Sequence, residues 1–347
     1  MNATTRPTIG RVVLACCAAA LAAAACGTDD EPVGAWGEPI VTAVADQAEL
    51  SPPLGAYAHF VSRDELARHR FIRISTGLAS VCGLSVNGAV MCAGQISWYD
   101  QRPIFDSDTA WIGGQFVDVD IGDRTVCGLL VDRTLRCGGN NDDRQAEPPS
   151  GTYAQISVAA DHACALTLSS AIECWGENHN GQSEPPEGVY TDIAINEAFG
   201  CALGAEGAIV CWGYNDDGQA NAPAGTYSDV GVGTFHSCAV TTSGTVSCWG
   251  NDEFGQLSAP SGKYVQLATS SFHSCALNAD ASIACWGFNE SGESEAPAGA
   301  YTQISLGGDN CALCVDGRIA CWGNRPPESL DDMPAYREPE WPQPDYR

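Results

Sequence analysis

Between residues 71 and 324 the chain consists of short apolar runs separated by polar turns, with no helical period. Two of these runs flank the turn at residues 205–207, which ends in a glycine. A three-residue hairpin loop with that glycine in the left-handed conformation would set Cys201 directly opposite Cys211. Opposed strand residues lie within the Cα distance that a disulfide tolerates, so we expect a cross-strand disulfide at this hairpin.

The same ten-residue spacing of two cysteines recurs along the chain and predicts seven hairpins. The further pairs are Cys82 with Cys92, Cys127 with Cys137, Cys164 with Cys174, Cys238 with Cys248, Cys275 with Cys285, and Cys311 with Cys321. The first cysteines are 45, 37, 37, 37, 37 and 36 residues apart. A period near 37 residues with one insertion of eight indicates a repeat architecture.

A further apolar run precedes each hairpin, which predicts three strands per repeat. Each run opens with an aromatic residue: Phe71, Phe116, Tyr153, Tyr190, Tyr227, Tyr264 or Tyr301. Strands alone cannot bury both faces of a sheet, so the repeats must stack as a solenoid or a closed propeller. Seven units favour a ring, because closure leaves only short edges exposed. We predict an all-β fold, a seven-bladed β-propeller with three-stranded blades.

The residue after each first cysteine is always small, glycine or alanine, and the next is leucine or valine. We expect the small residue to allow close approach of a neighbouring sheet, and the larger one to fill the space between sheets.

One repeat shows a family resemblance most fully. The run from Phe235 to Val240, followed by Trp249-Gly250-Asn251 and Gly255-Gln256, resembles the repeat of the regulator of chromosome condensation superfamily. The short period and three strands are most similar to a bacterial extracellular branch, which includes a propeller that inhibits β-lactamases. The resemblance covers about Phe71 to Asn324 and implies the propeller fold. It implies little about activity, because these motif positions build blades.

The N-terminus has the pattern of an export signal. Arg6 and Arg11 precede fourteen apolar residues, too few to span a bilayer. The segment Ala23-Ala24-Ala25-Cys26-Gly27 resembles a bacterial lipobox, which implies lipidation of Cys26. We therefore predict a signal peptide at residues 1–25 and an acidic tether at 26–50, with secretion without lipid as the alternative.

Three more segments follow from the sequence. Residues 51–70 form a lead-in, and the capping-box spacing of Ser62 and Glu65 predicts a short helix to about His69. The propeller covers 71–324, and the proline-rich tail at 325–347 is predicted to be extended or disordered. In the tether, Trp36-Gly37 either adds a closing strand or belongs to a plain linker.

Export also changes how the cysteines are interpreted. In an oxidising compartment, paired spacing indicates disulfides rather than a metal site. Cys314 has no partner at the repeat spacing, so we expect it to be free or to compete with Cys311 for Cys321.

The insertion in the first repeat carries an unusual density of aromatic residues, namely Trp98, Tyr99, Phe105 and Trp111. Exposed aromatic side chains on a loop indicate a contact surface for a partner. The alternative is that they cover the end of the first blade.

The charge excludes some classes of partner. The chain has 16 basic and 43 acidic residues, for a net charge of −27. Nucleic acid would be repelled, and an exported location removes any small GTPase as a partner. Basic proteins and calcium remain compatible with this charge.

The sequence offers no catalytic set and no cofactor motif. His162, His236 and His273 recur two positions before a cysteine, yet three of seven positions favour a structural role over a metal ring. The runs 140–143 and 215–218 resemble pieces of calcium loops but lack the Glu ligand. The five tryptophans that follow a second cysteine favour packing between blades over a ligand cage.

These observations predict a lipid-anchored, monomeric cell-envelope protein that binds an unknown protein partner and has no catalytic residue, cofactor or metal. Inhibition of an enzyme is one form such binding could take. The alternatives are a carbohydrate-binding module and a polysaccharide lyase or hydrolase.

Overall fold

A computed structural model describes residues 59–60, 66, 68–78, 80–94, 115–123 and 125–323. The predicted signal peptide, tether and tail lie outside the described residues. The strands are β1 His59–Phe60, β2 Phe71–Thr76, β3 Ser80–Ser85, β4 Val90–Gly94, β5 Phe116–Ile121, β6 Thr125–Leu130, β7 Leu135–Gly139, β8 Tyr153–Val158, β9 His162–Thr167, β10 Ile172–Gly176, β11 Tyr190–Asn196, β12 Phe199–Gly204, β13 Ile209–Gly213, β14 Tyr227–Val232, β15 His236–Thr241, β16 Val246–Gly250, β17 Tyr264–Thr269, β18 His273–Asn278, β19 Ile283–Gly287, β20 Tyr301–Leu306, β21 Asn310–Cys314 and β22 Ile319–Trp322.

The strands form seven sheets, which are the blades of a propeller. Blades 1 to 7 consist, in chain order, of β2–β4, β5–β7, β8–β10, β11–β13, β14–β16, β17–β19 and β20–β22. The three strands of a blade are antiparallel, and the first strand of each blade lines a central channel. The prediction of an all-β propeller with seven three-stranded blades is confirmed.

Each blade carries the predicted hairpin disulfide between its middle and outer strands. In blade 4, Cys201 pairs with Cys211 in register across β12 and β13. The other blades have the disulfides Cys82 to Cys92, Cys127 to Cys137, Cys164 to Cys174, Cys238 to Cys248, Cys275 to Cys285 and Cys311 to Cys321. The Cα atoms of all seven pairs are 4.0 to 4.1 Å apart, as directly opposed strand residues require. The hairpin geometry inferred from the ten-residue spacing is therefore correct.

Cys314 differs from its sequence-based expectation. It is buried in β21 and is disulfide-bonded, while Cys311 pairs with Cys321. The seven hairpin pairs use every other cysteine among the described residues, so the partner of Cys314 lies outside them. The expectation of a free thiol, or of a competitor for Cys321, is wrong.

The aromatic residue that opens each inner strand is buried between its own blade and the preceding one. A β-bulge follows it in every blade and shifts the register by one residue. A Cβ atom on Gly83 would lie 2.4 Å from the ring of Phe71, and the same holds for Gly128 and Phe116. The small residue after the first cysteine therefore makes room for the blade's own aromatic ring. That ring in turn packs against the neighbouring blade, so the expected close approach of the neighbouring sheet takes place through the aromatic residue.

Glutamine side chains join neighbouring blades at the channel. Gln303 of blade 7 accepts a hydrogen bond from the N–H of Ile74 in blade 1 and donates one to its carbonyl, both at 2.9 Å. Gln266 makes the same two bonds to Ile304, at 3.1 and 3.3 Å. We call this arrangement an amide clip. Because the Gln303 clip connects the last blade to the first, it helps to close the ring.

The outer strands are joined by tryptophans, which are buried or nearly so. In blade 4 the indole N–H of Trp212 donates to the carbonyl of Gln182, in the segment that leaves blade 3, at 2.8 Å. The same bond recurs for Trp175, Trp249, Trp286 and Trp322. These side chains pack between blades, which is the role the sequence favoured over a ligand cage.

A short segment before blade 1 extends its sheet. β1 pairs in parallel with β4, an addition that the sequence did not predict. Leu66 is helical and is buried with Phe71 and Met91, whereas residues 68 and 69 form a turn and a bend, so the helix does not extend to His69 as predicted. No helix in the described part of the chain is long and apolar enough to cross a bilayer.

Candidate functional site

The two faces of the ring carry different parts of each repeat. The first and third strands of a blade run in the same direction, because each is antiparallel to the second. Both therefore end on one face, which we call the upper face. It carries the turn between the first two strands and the start of the segment that follows the third, such as residues 251–256 of blade 5. The hairpin turns lie on the opposite, lower face.

A cavity of about 1100 Å³ runs along the channel and opens among the upper turns. The second residue after each opening aromatic forms a ring in its wall: Arg73, Asp118, Gln155, Asp192, Asp229, Gln266 and Gln303. Three of the seven are aspartates, and Arg73 forms an ion pair with Asp118 of the next blade. This ring of side chains in the wall is therefore polar, with three carboxyl groups and one guanidinium group.

Two of these aspartates, in adjacent blades, interact directly. Burial raises the pKa of Asp229, and the neighbouring Asp192 carboxylate raises it further. Asp192 accepts a hydrogen bond from Gln155 at 2.6 Å, and Asp229 accepts one from the N–H of Leu267 at 2.6 Å. Because their oxygens receive hydrogen bonds from adjacent blades, these carboxyl groups join neighbouring blades.

Two other acidic groups near the channel are also perturbed. Burial raises the pKa of Asp120 to about 6, although the Ser75 hydroxyl donates to it at 2.5 Å. Burial raises the pKa of Glu197 to about 7, with further contributions from Asp123 and Asp161. Within the described part of the chain, no group of three or more His, Cys, Asp or Glu side chains is arranged to hold a metal ion.

The three repeated histidines lie between blades. His236 Nε2 is 2.7 Å from the hydroxyl of Ser274, and His273 Nε2 is 2.8 Å from the side-chain oxygen of Asn310. His162 belongs to blade 3, and the next repeat, blade 4, has Gly200 at the position equivalent to Ser274. Both ring nitrogens of His162 lack a hydrogen-bond partner among the described residues. Burial lowers the pKa of His162 and of His236 to about 4, so both are neutral at pH 7.

The upper face of blades 5 and 6 carries a cluster of four phenylalanines. The rings of Phe235 and Phe272 stack at 5.5 Å, and Phe254 meets Phe272 and Phe288 edge to face at 5.4 and 5.3 Å. Phe254 is 41% exposed, and the other three are partly exposed. Phe272 and Phe288 also line the mouth of the channel. We call these four residues the phenylalanine cluster.

The fold does not require phenylalanine at these positions. Other repeats have Asp161 or Ala198 at the position of Phe272, Asn251 at that of Phe288 and Ser291 at that of Phe254. Those blades have the same strands, disulfide and tryptophan contact. An apolar side chain that is exposed, clustered and unnecessary for the blade marks an interaction site.

The sequence placed the binding surface elsewhere. Trp98, Tyr99, Phe105 and Trp111 lie outside the described residues, so their role stays a prediction. The phenylalanine cluster was missed because each phenylalanine occupies a different turn, and only the circular arrangement of the blades brings two adjacent repeats together. A comparison of equivalent repeat positions would have singled out these four residues, since no other repeat has phenylalanine at any of their three positions.

Three blades match a known repeat family. Residues 190–219, 227–256 and 264–293 match the model of the Regulator of chromosome condensation (RCC1) repeat. These ranges belong to blades 4, 5 and 6 and their following segments. No curated protein matches the chain. The chain carries RCC1-type repeats, as its sequence resemblance indicated.

Solved structures from other organisms share the fold. The ectodomain of the Physcomitrella patens receptor kinase CR4 is 25% identical with a TM-score of 0.60, and the match covers 72% of each chain. The ectodomain of the Arabidopsis thaliana receptor kinase ACR4 is 23% identical with a TM-score of 0.58, covering 72% of this chain and 94% of that one. Prp20p from Saccharomyces cerevisiae is 14% identical with a TM-score of 0.58, covering 74% and 83%.

Proposed function

We propose that the protein is an exported, non-catalytic scaffold that binds another protein on its upper face. The phenylalanine cluster carries this proposal. Three of its rings are in mutual edge-to-face or tilted contact, and Phe254 presents 41% of its surface to solvent. Rigid aromatic side chains at a partly exposed site are typical of binding hot spots, because they bury a large area at a small entropic cost.

The chemistry of the channel favours binding over catalysis. Asp229 and Asp192 are engaged by adjacent blades, and the two histidines with described side-chain partners bond to Ser274 and Asn310. A structural neighbour, yeast RCC1 (Prp20), has been crystallised with the protein Kap60 bound. This neighbour is 15% identical and supports only the capacity of the fold. The proposal therefore rests on the cluster itself.

The test uses substitutions taken from the protein's own repeats. The cluster variant combines Phe254→Ser, Phe272→Ala and Phe288→Asn, which introduces residues found at the same positions of other blades. The control variant combines Val189→Thr and Val265→Ser. These substitutions remove exposed apolar surface near the lower face. Thr226 and Ser228 hold these positions in blade 5.

Wild type, cluster variant and control variant are used as baits in crosslinking pull-downs from cell-envelope extract. We expect a protein that is captured by wild type and control and is at least tenfold reduced with the cluster variant. Circular dichroism melting of the same preparations shows whether the fold is intact. Equal capture by all three baits would refute binding through the upper face.

The disulfides indicate an extracytoplasmic location, because such bonds persist in oxidising compartments. We further propose that residues 1–25 direct export and that Cys26 carries the lipid anchor. A thioether at Cys26 would prevent this sulfur from pairing with Cys314. Mapping the partner of Cys314 is therefore part of the test for lipidation.

A further inference from the structure

We infer that the partner segment recognised at the phenylalanine cluster is basic, with an apolar side chain that packs on the exposed ring of Phe254 beside Lys or Arg residues. This inference rests on the proposed function and adds the chemistry of the partner. It comes from the charges that surround the cluster on the upper face.

Acidic side chains lie on both sides of the cluster. Asp252 and Glu253 directly precede Phe254 and are exposed, and Glu290 follows Phe288 by two residues and is exposed. Glu293 lines the channel mouth together with Phe272 and Phe288. An apolar segment that packs on the rings therefore lies among several acidic residues.

The negative charge extends over the rest of the upper face. Exposed carboxylates in the segments that follow the third strands include Asp142, Asp143, Asp216 and Asp217. Arg144 is the one Lys or Arg among the described residues of these turns and segments. Other described basic residues, such as Arg133, Lys263 and Arg318, lie at hairpin turns or before the inner strands, on the lower side.

These charges select among possible partners. An acidic or neutral apolar segment would bury the rings next to carboxylates without compensation, whereas Lys or Arg would pair with them. Charges around an apolar centre accelerate association and reject partners of like charge. The pairs are exposed, so their contribution must weaken as salt screens them.

A displayed library of random twelve-residue peptides provides the probe. The full mature chain, in oxidised form, is the selection target, and peptides that bind the cluster variant are discarded. We expect the remaining peptides to be enriched in Lys or Arg next to an aromatic or large aliphatic residue. Synthetic copies should lose at least tenfold in affinity with the cluster variant and less than twofold with the control variant. Raising NaCl from 50 to 500 mM should weaken them several-fold.

A second variant isolates the charges. Asp252→Asn with Glu253→Gln keeps the rings and should weaken the selected peptides at 50 mM NaCl but change little at 500 mM. Selected peptides that are acidic or neutral would overturn the inference while leaving binding at the cluster in place. If no peptide distinguishes wild type from the cluster variant, both the inference and the proposed binding site at the phenylalanine cluster are refuted. If peptides bind only after removal of residues 95–114 or 325–347, the occupant is the chain's own segment and the inference is overturned.

Discussion

Replacement of Gln303 by methionine tests whether the amide clip closes the ring. Methionine keeps the length of the side chain but removes both bonds to Ile74, each 2.9 Å long. The N–H and carbonyl of Ile74 then lose their partners on the inner strand of blade 1. An unsatisfied buried polar group costs about 1–3 kcal/mol. Since the channel admits water beside these groups, we expect a loss of about 2–3 kcal/mol in the free energy of unfolding.

The position of the clip determines how that loss is distributed. Blades 1 and 7 are not consecutive in the chain, and the other bonds between them include Thr76 to Ser305 at 3.0 and 2.9 Å. Gln303→Met should therefore increase hydrogen exchange of backbone amides in β2 and β20. The melting temperature should fall by about 4–12 °C, from about 2–4 °C per kcal/mol for a domain of this size.

Gln266→Met is the matched control. It removes the same two bonds from Ile304, between blades 6 and 7, which are consecutive in the chain. Its faster exchange should stay near Ile304 and leave β2 protected. If Gln303→Met left exchange in β2 unchanged, or if both variants gave one pattern, the role assigned to Gln303 in ring closure would be wrong.

Three further outcomes follow from the structure. Asp192→Asn keeps an oxygen for the Gln155 bond and removes the charge that raises the pKa of Asp229. Asp229 holds its proton to a higher pH in the native state than in the unfolded state. Its ionisation therefore destabilises the fold as pH rises. Urea melts should therefore show a gain of about 1–2 kcal/mol in the free energy of unfolding at pH 8 and little change at pH 4. An equal gain at both pH values would exclude the carboxyl pair as the cause. Trp212→Phe should lose about 1–3 kcal/mol of stability, since the carbonyl of Gln182 loses its donor; an unchanged melting temperature would show that this bond contributes nothing. Cys26→Ser should leave the protein unlipidated by mass spectrometry and no longer in the membrane fraction, and membrane partition equal to wild type would reject lipidation.

The propeller was predictable because its signals repeat. One cysteine pair at a spacing of ten could be chance, but seven with an aromatic residue before each fix the strand number, the hairpin register and the closed ring. β1 escaped prediction because two residues carry no alternation pattern. The direct contact of Gly83 with the Phe71 ring was not predicted for another reason. The β-bulge after Phe71 turns that ring onto its own blade, and a bulge leaves no mark in hydrophobic periodicity.

The candidate site was less accessible to sequence reasoning. Asp192 and Asp229 are 37 residues apart at one repeat position, and among many carboxylates they do not stand out. Once a ring is accepted, equal positions in consecutive repeats become neighbours, so this pair could have been proposed. The phenylalanine cluster combines three different repeat positions from two blades. Its geometry depends on how the upper turns of adjacent blades meet, which periodicity does not contain.

The ring closes by contacts between two complete blades, with no strand shared between them, and this has a consequence for how such a chain can change. The three antiparallel strands of each blade come from one continuous segment, from Phe71–Gly94 to Tyr301–Trp322. Joining Trp322 to Phe71 by a short linker and opening the chain between blades would keep each sheet intact, the condition under which circular permutation succeeds. For the same reason, duplication of a single 37-residue unit in the gene adds one whole blade without splitting another.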